Sequence, residues 1–186
     1  MKKLAAGHHA PVFQVTDIDG APVTIDSQPE PYVLLAFLRY AGCPWCNLAV
    51  HRLALESKML SQNKCSIVVF VQSSGEKIHE DTHERHAIRP NFPIVADPRK
   101  KIYRTYGVNS SLHAVVRAIN DIPAWVHAVK EHGFMQGKLD SDLFLAQALF
   151  LVSRKSHKIV QALYGKSLYE HETFTPIYQS LIFKET

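Results

Sequence analysis

The sequence predicts an α/β domain with a mixed central sheet flanked by helices and preceded by an N-terminal β-hairpin. Three observations carry this. Residues 31–39 (PYVLLAFLR) and 65–72 (CSIVVFVQ) are continuous apolar runs, the composition of strands buried on both faces. Between them, from Pro44 to about Leu60, the pattern turns helical, with Leu48, Leu53 and Leu60 apolar and Arg52, Glu56 and Lys58 polar. Strands then alternate with helices through the first half before a late hairpin.

The elements follow in order. Phe13, Val15, Val23 and Ile25 flank the turn dipeptide Asp19-Gly20, which reads as a hairpin over 12–30. The strand at 31–39 is broken by Gly42 and leads into the helix that begins at Pro44. After the strand at 65–72 come a polar helix over 75–87, a strand at Phe92–Ala96 and a helix at Arg99–Tyr106. Residues 110–132 read as a longer helical segment that Pro123 interrupts near Ile122. The runs 143–153 and 156–164 pair as a hairpin, and a last helix covers about 174–183. No repeat, linker or low-complexity segment appears, so residues 1–186 are expected to form one domain, with a helical insertion around 110–142.

Composition narrows the function. Of 186 residues, 46% are hydrophobic and 20% charged, which excludes a disordered or collagen-like chain. The net charge of +4 comes from scattered Lys and Arg, so no nucleic-acid partner is expected. No apolar run is long enough to span a membrane. The opening MKKLAAGHHAPVF lacks the apolar core of a secretory leader, so a cytoplasmic location is expected. Three cysteines cannot form a full disulfide framework within one chain. In a reducing compartment, paired cysteines point to catalysis or metal binding.

Cys43-Pro44-Trp45-Cys46 carries the chemistry, because it sits where a buried strand passes into a helix. Pro44 suits the first helical position. Cys43 then stands at the helix N-terminus, where unpaired N–H groups and the macrodipole favour a thiolate. Cys46 follows about one turn later, within reach of Cys43. Cys43 is expected to be the more exposed, attacking thiol and Cys46 its more buried partner. Two other readings of the pair are a zinc site, for which only half a ligand set is visible, and inert core cysteines.

Several further stretches resemble the alkyl hydroperoxide reductase/thiol-specific antioxidant family, whose peroxiredoxins belong to the thioredoxin-fold superfamily. Gly7 with Ala10-Pro11-Val12-Phe13 is similar to its opening G-x-x-A-P-x-F. Residues 34–53 (LLAFLRYAGCPWCNLAVHRL) resemble its strand, cysteine turn and helix. Phe92-Pro93-Ile94-Val95-Ala96-Asp97 with Tyr106-Gly107-Val108 resembles its F-P-L-L-x-D…Y-G-V stretch. The resemblance covers most of the chain and is weakest over 110–142. It implies a thioredoxin-like fold and a peroxide-reducing activity with Cys43 as attacking and Cys46 as second cysteine. It implies no bound cofactor, but an external thiol reductant such as thioredoxin or glutathione. The sequence departs from the family at three places: Ala36 and Tyr40 stand where Pro and Thr precede the cysteine, and Gln147 where a late Arg is found. That Thr and Arg hold the peroxide oxygens, so disulfide exchange or redox sensing is the alternative activity. Arg39 and Tyr40 are the candidates to substitute, and strand alternation would let only one face Cys43.

His79-Glu80-Asp81-Thr82-His83 matches H-E-x-x-H, and His86 extends it on one helical face. The surrounding helix is short and polar, which favours a solvated face in a chain with 11 histidines over a zinc centre. Cys65 is expected in the core. Trp45 is expected to be exposed and to meet a partner. Val115, Val116, Ile119, Trp125, Val126 and Val129 make the 112–132 segment a candidate homodimer contact.

Overall fold

The computed structural model describes residues 3–83, 89–110, 122–140, 142, 144–165, 177, 179 and 181, with the backbone only for Thr82, His83 and Ala124. A short antiparallel pair, β1 (Val15–Thr16) and β2 (Pro22–Val23), forms the expected hairpin, with Val15 opposite Val23. A five-stranded sheet follows in the order β5-β4-β3-β6-β7, built from β3 (Tyr32–Phe37), β4 (Cys65–Val71), β5 (Ile94–Ala96), β6 (Ala148–Ser153) and β7 (Lys158–Tyr164). β3, β4 and β5 run parallel, whereas β6 and β7 are antiparallel additions.

The central position of β3 explains its composition. It is flanked by β4 and β6, so residues of both parities are buried against helices or loops. Leu34 and Ala36 join Val69, Val71, Leu149 and Leu151 in the core that packs on α1 (Pro44–Gln62). Val33, Leu35 and Phe37 join Val68, Phe70 and Phe150 on the other face, under Tyr103 and Tyr106. There Phe37 stacks on Phe70 at 4.7 Å between centroids and meets Tyr103 edge-on at 5.0 Å. The free edge of β7 is covered by the N-terminal segment, whose Gly7 and Ala10 donate to the carbonyls of Ile159 and His157, which shields an otherwise open row of backbone groups.

Among the described residues the remaining helices are short. The segment expected as one helix over 75–87 begins with a single turn, α2 (Gly75–Ile78), that runs into a π-helical turn at His79–His83, and residues 84–87 lie outside the described residues. α2 is capped by Ser74, which accepts from the Lys77 N–H. α3 (Lys101–Thr105) is nucleated by Asp97, whose two carboxylate oxygens accept from the N–H groups of Lys101, Ile102 and Tyr103. α4 (Ile122–His132) starts at Ile122, so Pro123 lies in a first turn, where its missing N–H costs nothing. α4 packs on α1, burying Ala128 in the same core. Residues 111–121 of the 110–132 reading lie outside the described residues, and with them Val115, Val116 and Ile119 of the expected dimer contact; of its other members, Trp125 is exposed and Val126 and Val129 are half-buried. The late strand begins at Ala148 rather than at 143. Of the last helix, Ile177, Gln179 and Leu181 are described and are helical. Among the described residues no helix is long and apolar enough to cross a membrane.

Candidate active site

β3 delivers the site. Its end runs on through Leu38, whose N–H still donates to Phe70 O, and Arg39 before turning into α1. Cys43 is the N-cap of α1, extended at φ −84° and ψ 120°, and Pro44 occupies the first turn as expected. The turn is tied from below by Asn47, a buried side chain whose amide donates to Ala41 O at 2.6 Å and Cys43 O at 3.2 Å. It is tied from the side by Ser73, which accepts from the Ala41 N–H at 2.9 Å and donates to Asp140 at 3.0 Å.

A strap, residues 133–140, crosses over the turn. Gly137 N–H donates to Gly42 O at 2.7 Å. Gln136 donates to Gly42 O at 3.2 Å and to the Tyr40 hydroxyl at 3.1 Å. The two glycines meet so closely that a Cβ on Gly42 would lie 2.8 Å from Gly137 Cα. This cover corrects the expected order of exposure. Cys43 is fully buried at 0% and Cys46 is 3% exposed, so Cys43 is not the more accessible thiol. Trp45 is half-buried against the core rather than exposed.

Both candidates flanking the motif approach it, which the alternation argument did not foresee. That argument presumes a strand, and β3 has already ended at Phe37. Arg39 is itself buried, at 3% exposure. Its Nη1 lies 3.7 Å from Cys43 Sγ, and its backbone N–H donates to Cys46 Sγ at 3.3 Å. Its guanidinium also lies 5.2 Å from the Tyr40 ring centroid and 5.8 Å from that of Trp45. Tyr40 bonds Gln136 instead, and burial followed by the negative charge of Cys43 pushes its phenol up to about 12, so it stays neutral at physiological pH.

The two sulfurs are pushed apart in acidity. Burial raises the Cys43 thiol. Hydrogen bonding from Cys46, the Arg39 charge and the first amides of α1, Cys46 and Trp45, outweigh it and bring Cys43 down to about 7. Burial, and then the neighbouring Cys43 anion, hold Cys46 well above the ordinary thiol value. A nucleophile beside a protonated partner is the arrangement an attack-and-resolve cycle needs. Cys65 is a core thiol at the start of β4, 1% exposed and raised by burial to about 12. All three cysteines are free.

Other candidates fall away from this centre. Gln147 is buried just before β6, and its carbonyl accepts from Gly165 N–H. His79 lies 3.1 Å from Ile18 O through Nε2, while His86 and the His83 side chain lie outside the described residues. No group of three or more metal-ligating side chains converges among the described residues. Sequence reasoning missed Asn47, Ser73 and Gln136. Asn47 could have been found as a polar residue on the apolar side of α1; the other two have no local signal.

The AhpC/TSA family model matches residues 6–132. Comparison with curated proteins gives no sequence match. Among solved structures, the peroxidoxin BcpB of Mycobacterium tuberculosis is similar with a TM-score of 0.72 at 14% identity, covering 98% of this chain and 99% of that one. Mycobacterium bovis AhpC gives 0.68 at 12% identity, over 100% and 96%. A putative thiol:disulfide interchange protein DsbE from Chlorobium tepidum gives 0.64 at 15% identity, over 97% and 98%. At such identities these likenesses speak for the thioredoxin-like fold. The family match spans well over half of the chain, so the protein belongs to the AhpC/TSA family and is a thiol-dependent oxidoreductase.

Proposed function

We propose that the protein reduces peroxides through a Cys43–Cys46 dithiol/disulfide cycle. The observation that carries this is the Arg39 guanidinium 3.7 Å from Cys43 Sγ, buried with it beneath the strap. A fixed cation in a dry site stabilises the thiolate and meets charge developing on the peroxide oxygens. The Cys43 thiolate attacks one peroxide oxygen, the O–O bond breaks, and the other oxygen leaves as alkoxide or hydroxide and takes up a proton. Cys43 is then a sulfenic acid. The Cys46 thiol attacks its sulfur, water leaves, and a disulfide forms. Two thiols of an external donor, thioredoxin-like or glutathione-based, restore both cysteines and leave as a disulfide. Such donors suit a cytoplasmic location, and the cycle as written uses no bound cofactor. Because both sulfurs are buried, the strap moves aside for substrate and donor to enter.

Pro44 fixes the first helical turn, and Trp45 packs beside the Arg39 guanidinium, so both support the pair without touching the substrate. A second reading, thiol–disulfide exchange, is favoured by Tyr40 and Gln147 at the positions of the family's peroxide-binding Thr and Arg. Product analysis tests the first. Reduced protein is treated with one equivalent of hydrogen peroxide, digested and weighed. A Cys43–Cys46 disulfide in near-stoichiometric yield is the expected result. Unchanged thiols, while small disulfides are consumed readily, would leave the exchange reading in its place.

A further inference from the structure

Gln72 follows β4 at the end of the sheet where the cysteine turn begins. Phe37 and Phe70 are opposite in the parallel register, and Gln72 N–H donates to Arg39 O at 2.9 Å. Gln72 therefore comes level with Arg39, the residue that contacts both sulfurs. Its side chain is 1% exposed, and neither Oε1 nor Nε2 has a hydrogen-bond partner among the described residues. Two buried polar side chains that hold the cysteine turn are engaged: Ser73 with Ala41 and Asp140, Asn47 with Ala41 and Cys43. A stranded buried amide costs about 1–3 kcal/mol, and a leucine of similar volume would avoid that cost. Native structures hold few such groups, and each calls for an explanation. At functional sites local rules are broken for the sake of the chemistry.

We infer that the Gln72 carboxamide is a second contact for the substrate's oxygens, beside Arg39. The inference rests on the peroxidase reading above. A hydroperoxide presents an O–H donor and lone-pair acceptors on adjacent atoms, and a carboxamide offers both complements. Arg39 supplies charge. Gln72 supplies orientation and, being neutral, leaves the thiolate balance to Arg39. A disulfide substrate has no oxygen at its reacting atoms and draws nothing from the amide.

The test compares Gln72→Leu with wild type in two second-order reactions of reduced protein: with hydrogen peroxide, and with Ellman's disulfide. The expected result is that the ratio of peroxide to disulfide rate falls about tenfold, the worth of one hydrogen bond, with a melting temperature equal to or above that of wild type. Gln72→Asn, which retracts the amide by one methylene, is read in the same way if leucine prevents folding. A ratio that does not change, whether both rates fall together or neither does, overturns the assignment. A fast wild type with an unchanged ratio removes Gln72 alone. A wild type no faster with peroxide than a free thiol removes the peroxidase reading and the assignment with it.

Discussion

Arg39 sets the character of the cysteine pair. With its guanidinium at one sulfur and its backbone N–H at the other, it couples a thiolate to a thiol. Because the reactive species is deprotonated, reactivity rises with pH and is half-maximal where Cys43 titrates, at about 7. Arg39→Met removes the cation, so the midpoint moves up toward the ordinary thiol value of about 8.5. Thiolate absorbance followed against pH checks this, and an unmoved midpoint would show that the Cys46 thiol and the helix terminus hold the anion without Arg39. Cys46→Ser keeps the attacking thiol and removes its partner. With peroxide it should stop at the sulfenic acid, which dimedone traps as a mass adduct on Cys43. The placement of both cysteines was legible from four adjacent residues at a strand–helix junction. Their accessibility was not, because the groups that bury Cys43 come from the strap, more than 90 residues further along the chain.

At the scale of elements, the strap and α3 fix the site from opposite sides. Gly42→Ala places a methyl against the Gly137 backbone, which cannot give way as a flexible side chain would. It should lift the strap, cost about 1–3 kcal/mol and speed alkylation of Cys43 by iodoacetamide in the native state. Protection equal to that of wild type would show that other contacts do the burying. α3 holds the floor through Tyr103, whose hydroxyl lies 2.5 Å from Leu38 O and 2.7 Å from Phe70 O, where β3 and β4 end. Tyr103→Phe leaves buried carbonyls without that donor and should cost about 1–3 kcal/mol, read as a lower Tm. The strand and helix order was legible because β3, β4 and α1 carry long, regular apolar patterns. The π-helical turn at His79–His83 was not, since a polar run reads alike in an α-turn and a π-turn. The start of β6 was misplaced because Leu145 is buried outside any strand, and periodicity cannot tell such a residue from a ladder position.

Across the whole molecule, the site is assembled at the C-terminal end of the central parallel strands. β3 brings Arg39 and the cysteine turn, β4 brings Gln72 and Ser73, and the chain beyond α4 returns to cover them. The family model ends at residue 132, the last residue of α4 and the point where the strap begins. The parallel strands β3, β4 and β5 and the cysteine helix therefore lie within the family match, whereas the cover and the antiparallel strands β6 and β7 lie outside it. The late hairpin was legible all the same, from its own apolar runs, whereas the contact of the strap with the cysteine turn has no local pattern and needed coordinates. The departures at Ala36, Tyr40 and Gln147 make rate the decisive quantity, since another set of groups must stabilise the peroxide. The most direct measurement is a stopped-flow reaction of fully reduced protein with hydrogen peroxide, followed by Trp45 fluorescence, with Cys43→Ser as the control. A change orders of magnitude faster than that of a free thiol, absent in Cys43→Ser, is the predicted result. A rate equal to that of a free thiol, or one that survives the substitution, would contradict a Cys43-centred peroxidase.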